Sequence, residues 1–334
     1  MWRFLVDSCP AAGLFHSPPW IRSVAECYGF QIRSLVATGP DHALAGGVAF
    51  CELDDFAGPR LVGVPFGDTC DPLLLSASAW PVLVAAMQSK GLPVNFRCLD
   101  DKLVGVTPGI KTVKKARWHR IPVDAPIEEV WRRLSPEAKR AIRKSERASV
   151  VVRTLSGAGD RGRFHQLHVA LRKSKYRLLA QPQRFLEVLE RRFLEINGWH
   201  SLGAFVDSRM IAATIYLRWG DTLYYKFNAS DRENLQLRPN NLLVWEGIKA
   251  ARALGCRYLD LGPSDDDQPG LIRFKRSFGA EEHELTFLRW NPEGWKPSNE
   301  RRSVLSTLTS SLTDPSVSDE VAAQAGSVLY RFFA

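Results

Sequence analysis

Apolar residues recur at helical spacing late in the chain. Leu242, Leu243, Trp245, Ile248, Ala251 and Leu254 fall at steps of about three and four, which predicts a helix that Gly255 stops. Pro239 suits its first turn, and Asn240 or Asn241 can cap the free backbone N–H groups there. Residues 257–261 alternate as a short strand, which Gly262-Pro263-Ser264 breaks ahead of the acidic run Asp265, Asp266 and Asp267. A ligand would sit at that strand end. In residues 271–278, Arg273, Lys275 and Arg276 interleave with Phe274 and Phe278, the pattern of a surface helix with two buried aromatics.

The first half reads as a helix and then a sheet. Pro18-Pro19 opens a helix with Trp20, Val24 and Tyr28 on one face, and strand-like runs follow at 31–37, 42–53 and 60–64. Residues 65–72 form a polar turn pinned by two prolines. There Asp68 and Asp71 either cap backbone N–H groups or stand ready to hold a reacting group. A helix over 73–90 and a strand over 94–99 are expected next, then a basic stretch at 111–120 and a strand at 121–123. A helix over 128–134 turns Trp131 and Leu134 inward, and Ser135-Pro136-Glu137 signals another helix start.

Residues 157–162 read as a flexible connection before a helix at 165–171, and Pro182 marks a helix running to residue 193. Strands follow at 199–206, 210–219 and 222–228, the last two as a β-hairpin. Tyr224, Lys226 and Asn228 are expected on one face of the last strand, opposite Tyr225 and Phe227. Lys226 is then either an edge-strand charge or a site group. The tail from 297 to 319 is rich in Ser and Thr, and 321–333 reads as one docking helix.

At 334 residues the chain exceeds the usual single-core size, so two domains of similar size are expected. A hydrophobic fraction of 45% is enough for packed cores. No apolar run is long enough to cross a bilayer, and the start MWRFLVDSCP is too short in its apolar part for a signal peptide, so cytoplasmic residence is expected. Six scattered cysteines without a C-x-x-C pair argue against zinc and against a disulfide framework.

Net charge is +9, yet residues 111–177 alone hold 19 Lys or Arg against 6 Asp or Glu, a local +13 that leaves −4 elsewhere. Such a field attracts polyanions: nucleic acid, an anionic lipid surface or a nucleotide-linked sugar. Lys139, Arg140, Arg143, Lys144 and Arg147 share one broad helical face, with only Glu137 and Glu146 to pair them. His165 and His168 stand one turn apart, but no nearby carboxylate completes a metal set, and no metal is expected.

No G-x-S-x-G elbow, P-loop, G-x-G-x-x-G or H-E-x-x-H is present. The order PNNLLVWE, GCRYLDLGPS, GLIRFKRSFGAE, preceded by LPVNFRCLD, SPEAKRAIRKSERASVVVR and RKSKYRLLAQPQRF, resembles the FemAB-like branch of the GNAT acyltransferase superfamily over about residues 15–290. The resemblance implies an α/β fold of tandem GNAT-like domains, each a mixed central sheet flanked by helices. The expected layout is 1–125, then 126–296 with the basic segment 135–148, then a tail at 297–334.

That branch includes peptidoglycan aminoacyltransferases that use aminoacyl-tRNA. The glycine-rich acetyl-CoA loop of other GNAT proteins is replaced here by Gln236-Leu237-Arg238-Pro239-Asn240-Asn241, which removes a donor and permits no close backbone approach. The resemblance therefore implies an acyltransferase with aminoacyl-tRNA as co-substrate and no bound cofactor, forming an amide on a small-molecule or cell-envelope acceptor. An acyl-CoA- or carrier-dependent N-acyltransferase is the alternative, and a non-catalytic module binding RNA or an anionic surface is the third reading.

By the same resemblance, Phe274-Lys275 matches a Phe-Lys pair whose lysine stabilises charge on the ester, an effect worth a few kcal/mol in such sites. Asp68 is the candidate proton acceptor, with the leaving hydroxyl or water as the other destination. Tyr224, Lys226, Asn240, Asn241, Ser264, Arg273 and Phe274 are the expected substrate-binding residues, and the 139–147 stripe is the expected polyanion contact.

Overall fold

Polar turns and proline-marked helix starts divide the chain into alternating helices and strands in a computed structural model that describes residues 1–296 and 299–334. Pro297 and Ser298, where the expected tail begins, lie outside the described residues. One compact unit gathers Met1–Arg117, His283–Thr307 and Arg331–Ala334; the other gathers Trp118–Glu282 and Leu308–Tyr330.

The first unit begins with α1 (Trp2–Ser8) and α2 (Pro18–Tyr28). At α2 the Ser17 hydroxyl accepts from the Trp20 amide at 3.3 Å while Pro18 fills the first turn. Strands β1 (Ile32–Thr38), β2 (Leu44–Leu53), β3 (Arg60–Val62) and β4 (Leu73–Leu74) follow, then α3 (Ala79–Gln88), β5 (Val94–Cys98) and the start of β6 (Ile110–Pro122). Strands β1, β2 and β3 pair antiparallel, whereas β3 and β5 run parallel, with Leu61 beside Val94. The core sets Val48, Phe50, Leu61 and Phe96 against Trp80, Leu83 and Met87 of α3.

The sequence reading needs two corrections here. The helix expected over 73–90 starts only at Ala79, because Leu73 and Leu74 pair with Gly47 and Gly46 of β2 instead. The basic stretch at 111–120 is strand throughout, with Lys111, Lys114, Lys115 and Arg117 exposed along β6.

The second unit continues with α4 (Ile127–Arg133), α5 (Pro136–Arg147), β7 (Val151–Thr154), α6 (Gly157–Leu171) and α7 (Gln183–Leu194). Next come β8 (Trp199–Val206), β9 (Arg209–Trp219), β10 (Thr222–Ser230), α8 (Pro239–Ala253), β11 (Tyr258–Ser264) and α9 (Pro269–Arg276). Its strand order is β6-β11-β10-β9-β8-β7. The β8–β9 turn places Asp207 and Ser208 at φ 47° and 67°, the double left-handed geometry that matches strand twist in a two-residue hairpin. The core joins Ile121, Ile142, Tyr216, Leu243, Ile248, Leu259 and Phe278.

Here residues 157–162 are the first turns of α6 rather than a connection, and Asp160 in that first turn accepts the Ser156 amide at 2.9 Å. Strand β11 runs on through Gly262-Pro263-Ser264 instead of breaking there. A strand without a sequence counterpart, β12 (Glu281–Trp290), belongs from His283 onwards to the first unit, where it pairs antiparallel with β5. The tail holds two helices, α10 (Asn299–Leu312) and α11 (Asp319–Leu329), where one was expected. Each unit is thus a mixed sheet flanked by helices.

Candidate active site

In the second unit the parallel neighbours β10 and β11 pair only over Thr222↔Tyr258, Leu223↔Leu259 and Tyr224↔Asp260. Beyond this point β10 runs on to Ser230 and β11 to Ser264 without pairing to one another. The physical cause is a bulge. On the β9 side Tyr225 aligns with Tyr216 and Phe227 with Ile215, so Lys226 is an extra residue that bends β10. Parted carboxyl ends of parallel strands are where open α/β sheets take their ligands.

The bulge also overturns the expected alternation. Tyr225 meets Tyr216 edge-on at 5.6 Å and packs with the α8 core, while Phe227 meets His168 and Phe185 at 6.3 Å each. Consecutive residues of β9 point to opposite faces, so Tyr225 and Phe227 do too. Tyr224, Lys226 and Asn228 are each partly buried, with the Lys226 ammonium 5.9 Å from the Phe227 ring centre.

At the end of β11 a buried polar scaffold fixes the backbone. Asp260 accepts from the Trp118 indole at 2.8 Å and from the Gly262 amide at 2.7 Å. Gly262 has φ 67°, a conformation that a side chain would strain. Lys275 is 5% exposed, and its ammonium donates to the carbonyls of Gly262 and Pro263 at 2.9 and 2.8 Å. The charge is therefore held at the strand end, away from bulk water. The Ser264 hydroxyl beside it is buried and has no hydrogen-bond partner among the described residues.

Helix α9 makes this possible by burying Ile272 and Lys275, three residues apart, on one face. Phe274 meets Phe278 edge-on at 5.2 Å, while Arg273 is exposed. Arg276 forms a fork on Glu282 at 2.5 and 2.8 Å.

The start of α8 differs from expectation. Arg238 occupies the cap in a left-handed conformation, φ 60°, with no side-chain cap, and the helix begins at Pro239. Asn240 instead ties α8 to β10, donating to the Ser230 hydroxyl at 3.2 Å and accepting from the Asn228 amide at 3.3 Å. Asn241 sits beside it, partly buried.

In the first unit Asp68 lies partly buried in the turn after β3. Its neighbour Asp71 accepts the Leu99 and Asp100 amides at 2.8 and 3.0 Å, and burial pushes its carboxyl up to about 6. Helix α5 displays the basic stripe: Ala138, Ile142 and Ser145 face the core, and Arg140, Arg143, Lys144 and Arg147 are exposed. Lys139 is drawn back onto the Arg132 carbonyl at 3.0 Å, and the Arg143 guanidinium lies 5.7 Å from the Trp131 ring centre. His165 and His168 both bind Gln181, at 3.1 and 2.7 Å.

Trp118 and Asp260 escaped the sequence reading, although an aspartate inside the apolar run Leu259-Asp260-Leu261 signals a buried polar anchor. Comparison with known proteins bears on the whole arrangement. The family model described as an acetyltransferase (GNAT) domain matches residues 132–276. The chain carries a GNAT acyltransferase domain.

The solved structure of FemX matches 85% of this chain and 94% of its own at 13% identity and a TM-score of 0.64. L-PGS from Bacillus licheniformis matches 88% and 96% at 10% identity and a TM-score of 0.55. A tandem GNAT protein from the clavulanic acid biosynthesis pathway matches 80% and 85% at 10% identity and a TM-score of 0.52. No curated protein matches the chain in sequence. In fold, then, the chain is similar to FemX and to tandem GNAT structures, and its residues 132–276 match an acetyltransferase (GNAT) domain. Among its described residues no helix is long and apolar enough to cross a membrane.

Proposed function

We propose that this acyltransferase moves an aminoacyl group from aminoacyl-tRNA to an amine of a small-molecule or cell-envelope acceptor, in the cytoplasm. The observation that carries the reading is the buried Lys275 ammonium at the end of β11, where β10 has parted from it. In such a water-poor place a fixed positive charge stabilises a forming oxyanion far better than in solvent. The acceptor nitrogen attacks the ester carbonyl, the ester C–O bond breaks, and the leaving ribose hydroxyl takes the proton that the amine loses.

Two features support tRNA as donor. The start of α8 offers a proline and two asparagines where a pyrophosphate-binding loop would need glycines, and Asn240 is already bound to β10. The exposed face of α5 supplies phosphate contacts instead. Lys226, Tyr224, Asn241, Ser264, Arg273 and Phe274 are proposed to shape the substrate site.

The test follows donor consumption with charged tRNA and with acyl-CoA in separate reactions. Charged tRNA is expected to be consumed, and Lys275→Met is expected to slow transfer by roughly a hundredfold or more while tRNA binding persists. Consumption of acyl-CoA alone would overturn the choice of donor. Full activity in a folded Lys275→Met variant would remove the lysine from the mechanism.

A further inference from the structure

The first unit holds a cavity of about 310 Å³ bordered by β3, the turn after it, β5 and β12. Three arginines line it, Arg60, Arg97 and Arg289; among the described lining residues no acidic side chain appears, and the Ala334 oxygen at the wall is taken up by Arg60. Their roles differ.

Arg60 is fully engaged in structure. It forms a fork on Asp55 at 2.6 and 3.0 Å and donates also to the Gly58 carbonyl at 3.0 Å and to Ala334 at 2.7 Å. Arg289 donates its Nε to Asn95 at 2.7 Å. Arg97 uses one Nη1 bond, to the Gly67 carbonyl at 2.7 Å. Its remaining N–H groups have no hydrogen-bond partner among the described residues, and its charge has no carboxylate partner there.

A second cation stands close by. The Phe287 ring, part of the cavity wall, has the Arg97 guanidinium 5.8 Å and the Lys114 ammonium 5.4 Å from its centre. A planar guanidinium with open donors is suited to a tetrahedral or planar oxyanion. The open N–H donors of Arg97, beside two further arginines of the wall, match the three oxygens of a phosphate monoester, which carries close to two negative charges at neutral pH. The apolar part of the wall, Val64, Phe96 and Leu288, suits an organic remainder.

We propose that this cavity binds the phosphate of a small phosphorylated molecule, with Arg97 as its principal donor. The proposal lies wholly within the first unit and stands apart from the transfer reaction.

Titration calorimetry on the full chain tests it with ribose 5-phosphate, ribose and inorganic phosphate. Saturable binding of ribose 5-phosphate at one site per chain is expected, with none for ribose. Equal affinity for inorganic phosphate would assign the site to free phosphate, and weaker affinity would assign it to the monoester. Arg97→Gln is expected to weaken binding at least tenfold.

Val113 lines the cavity yet is 51% exposed, so Val113→Glu leaves the fold intact while placing a negative charge beside the ligand. It is expected to weaken binding severalfold, and Val113→Lys is not. The proposal is overturned if neither phosphate compound binds, or if both Arg97→Gln and Val113→Glu bind like the parent. Binding lost only in an Arg143→Gln, Lys144→Gln, Arg147→Gln variant would also overturn it.

Discussion

A histidine shut away from water shows how single residues fix the pH response of this protein. The His16 Nδ1 faces the Gly13 amide at 3.1 Å and its Nε2 faces the Asp71 carbonyl at 2.9 Å. An amide N–H only donates and a carbonyl only accepts, so the ring is held neutral with its proton on Nε2. Burial lowers its pKa to about 4 from 6.5, and burial lowers that of His168 to about 4 as well. A folded-state pKa below the unfolded one means that the unfolded chain takes up protons first. Stability is therefore complete above pH 6.5 and falls as pH drops towards 4.

Each histidine contributes about 3 kcal/mol to that loss. Asp71 works against it. Its carboxyl, raised from 3.8 to about 6, favours the folded state increasingly as pH falls through that window. Burial lowers the pKa of His165 and His200 too, so the imidazoles outweigh Asp71 and the unfolding free energy is expected to drop by at least about 3 kcal/mol between pH 7 and pH 4. Urea unfolding at both pH values measures this, and His168→Gln should make the drop smaller. A stability that rises on acidification would contradict the assignment.

Between elements, a tight constraint is the seat of α8 on β9. A Cβ at Gly247 would stand 2.4 Å from the Tyr216 hydroxyl and 2.6 Å from its ring carbon. That hydroxyl is fixed by its bond to the Leu243 carbonyl at 2.7 Å, and Tyr216 is fully buried. Alanine is the better helix former by about 1 kcal/mol, but in a core with no room to yield, overpacking costs about 1–3 kcal/mol. Gly247→Ala is accordingly expected to destabilise by denaturant titration. Combined with Tyr216→Phe, which removes the nearest atom, the effects should fall short of additive by about 0.5 kcal/mol or more. Strict additivity would refute the contact.

That helix was legible as a stripe from Leu242 to Leu254, but the stripe does not reveal that Gly247 must be glycine. Elements with their own periodicity, such as α2, α5, β9 and α7, were readable because burial of one face and local propensity agree. Strand β12 was not, because its buried positions Leu285, Thr286 and Leu288 do not alternate, and β5 supplies the reason for its extension. The active-site scaffold was half legible. The Phe274-Lys275 pair could be matched to a motif, whereas the Trp118–Asp260 bond spans 142 residues and the bulge at Lys226 arises only when β9 is laid beside β10.

Across the whole molecule, the basic excess resolves into charges with different duties. At the end of α6 and just beyond, Lys173 binds Asp319 at 2.9 Å and Arg177 binds the Thr313 carbonyl at 2.8 Å, so these cations hold the C-terminal helices of the second unit. On α5 the situation is the reverse. Arg140 has a fully solvated pairing with Glu137 that is worth little, and Arg143, Lys144 and Arg147 project from an exposed face. Counterion release ties each phosphate contact to the salt dependence of binding, about 0.7–0.9 in the slope of log affinity against log salt. Replacing Arg143, Lys144 and Arg147 by glutamine should therefore lower the slope for tRNA by about 2 between 50 and 200 mM salt, concentrations over which such contacts are resolved. Replacing Lys173 and Arg177 should leave the slope nearly unchanged while lowering thermal stability. Fluorescence anisotropy with labelled tRNA reads both. If the two variants exchanged behaviours, the RNA-binding face would belong to the segment after α6, and α5 would be an ordinary solvated helix.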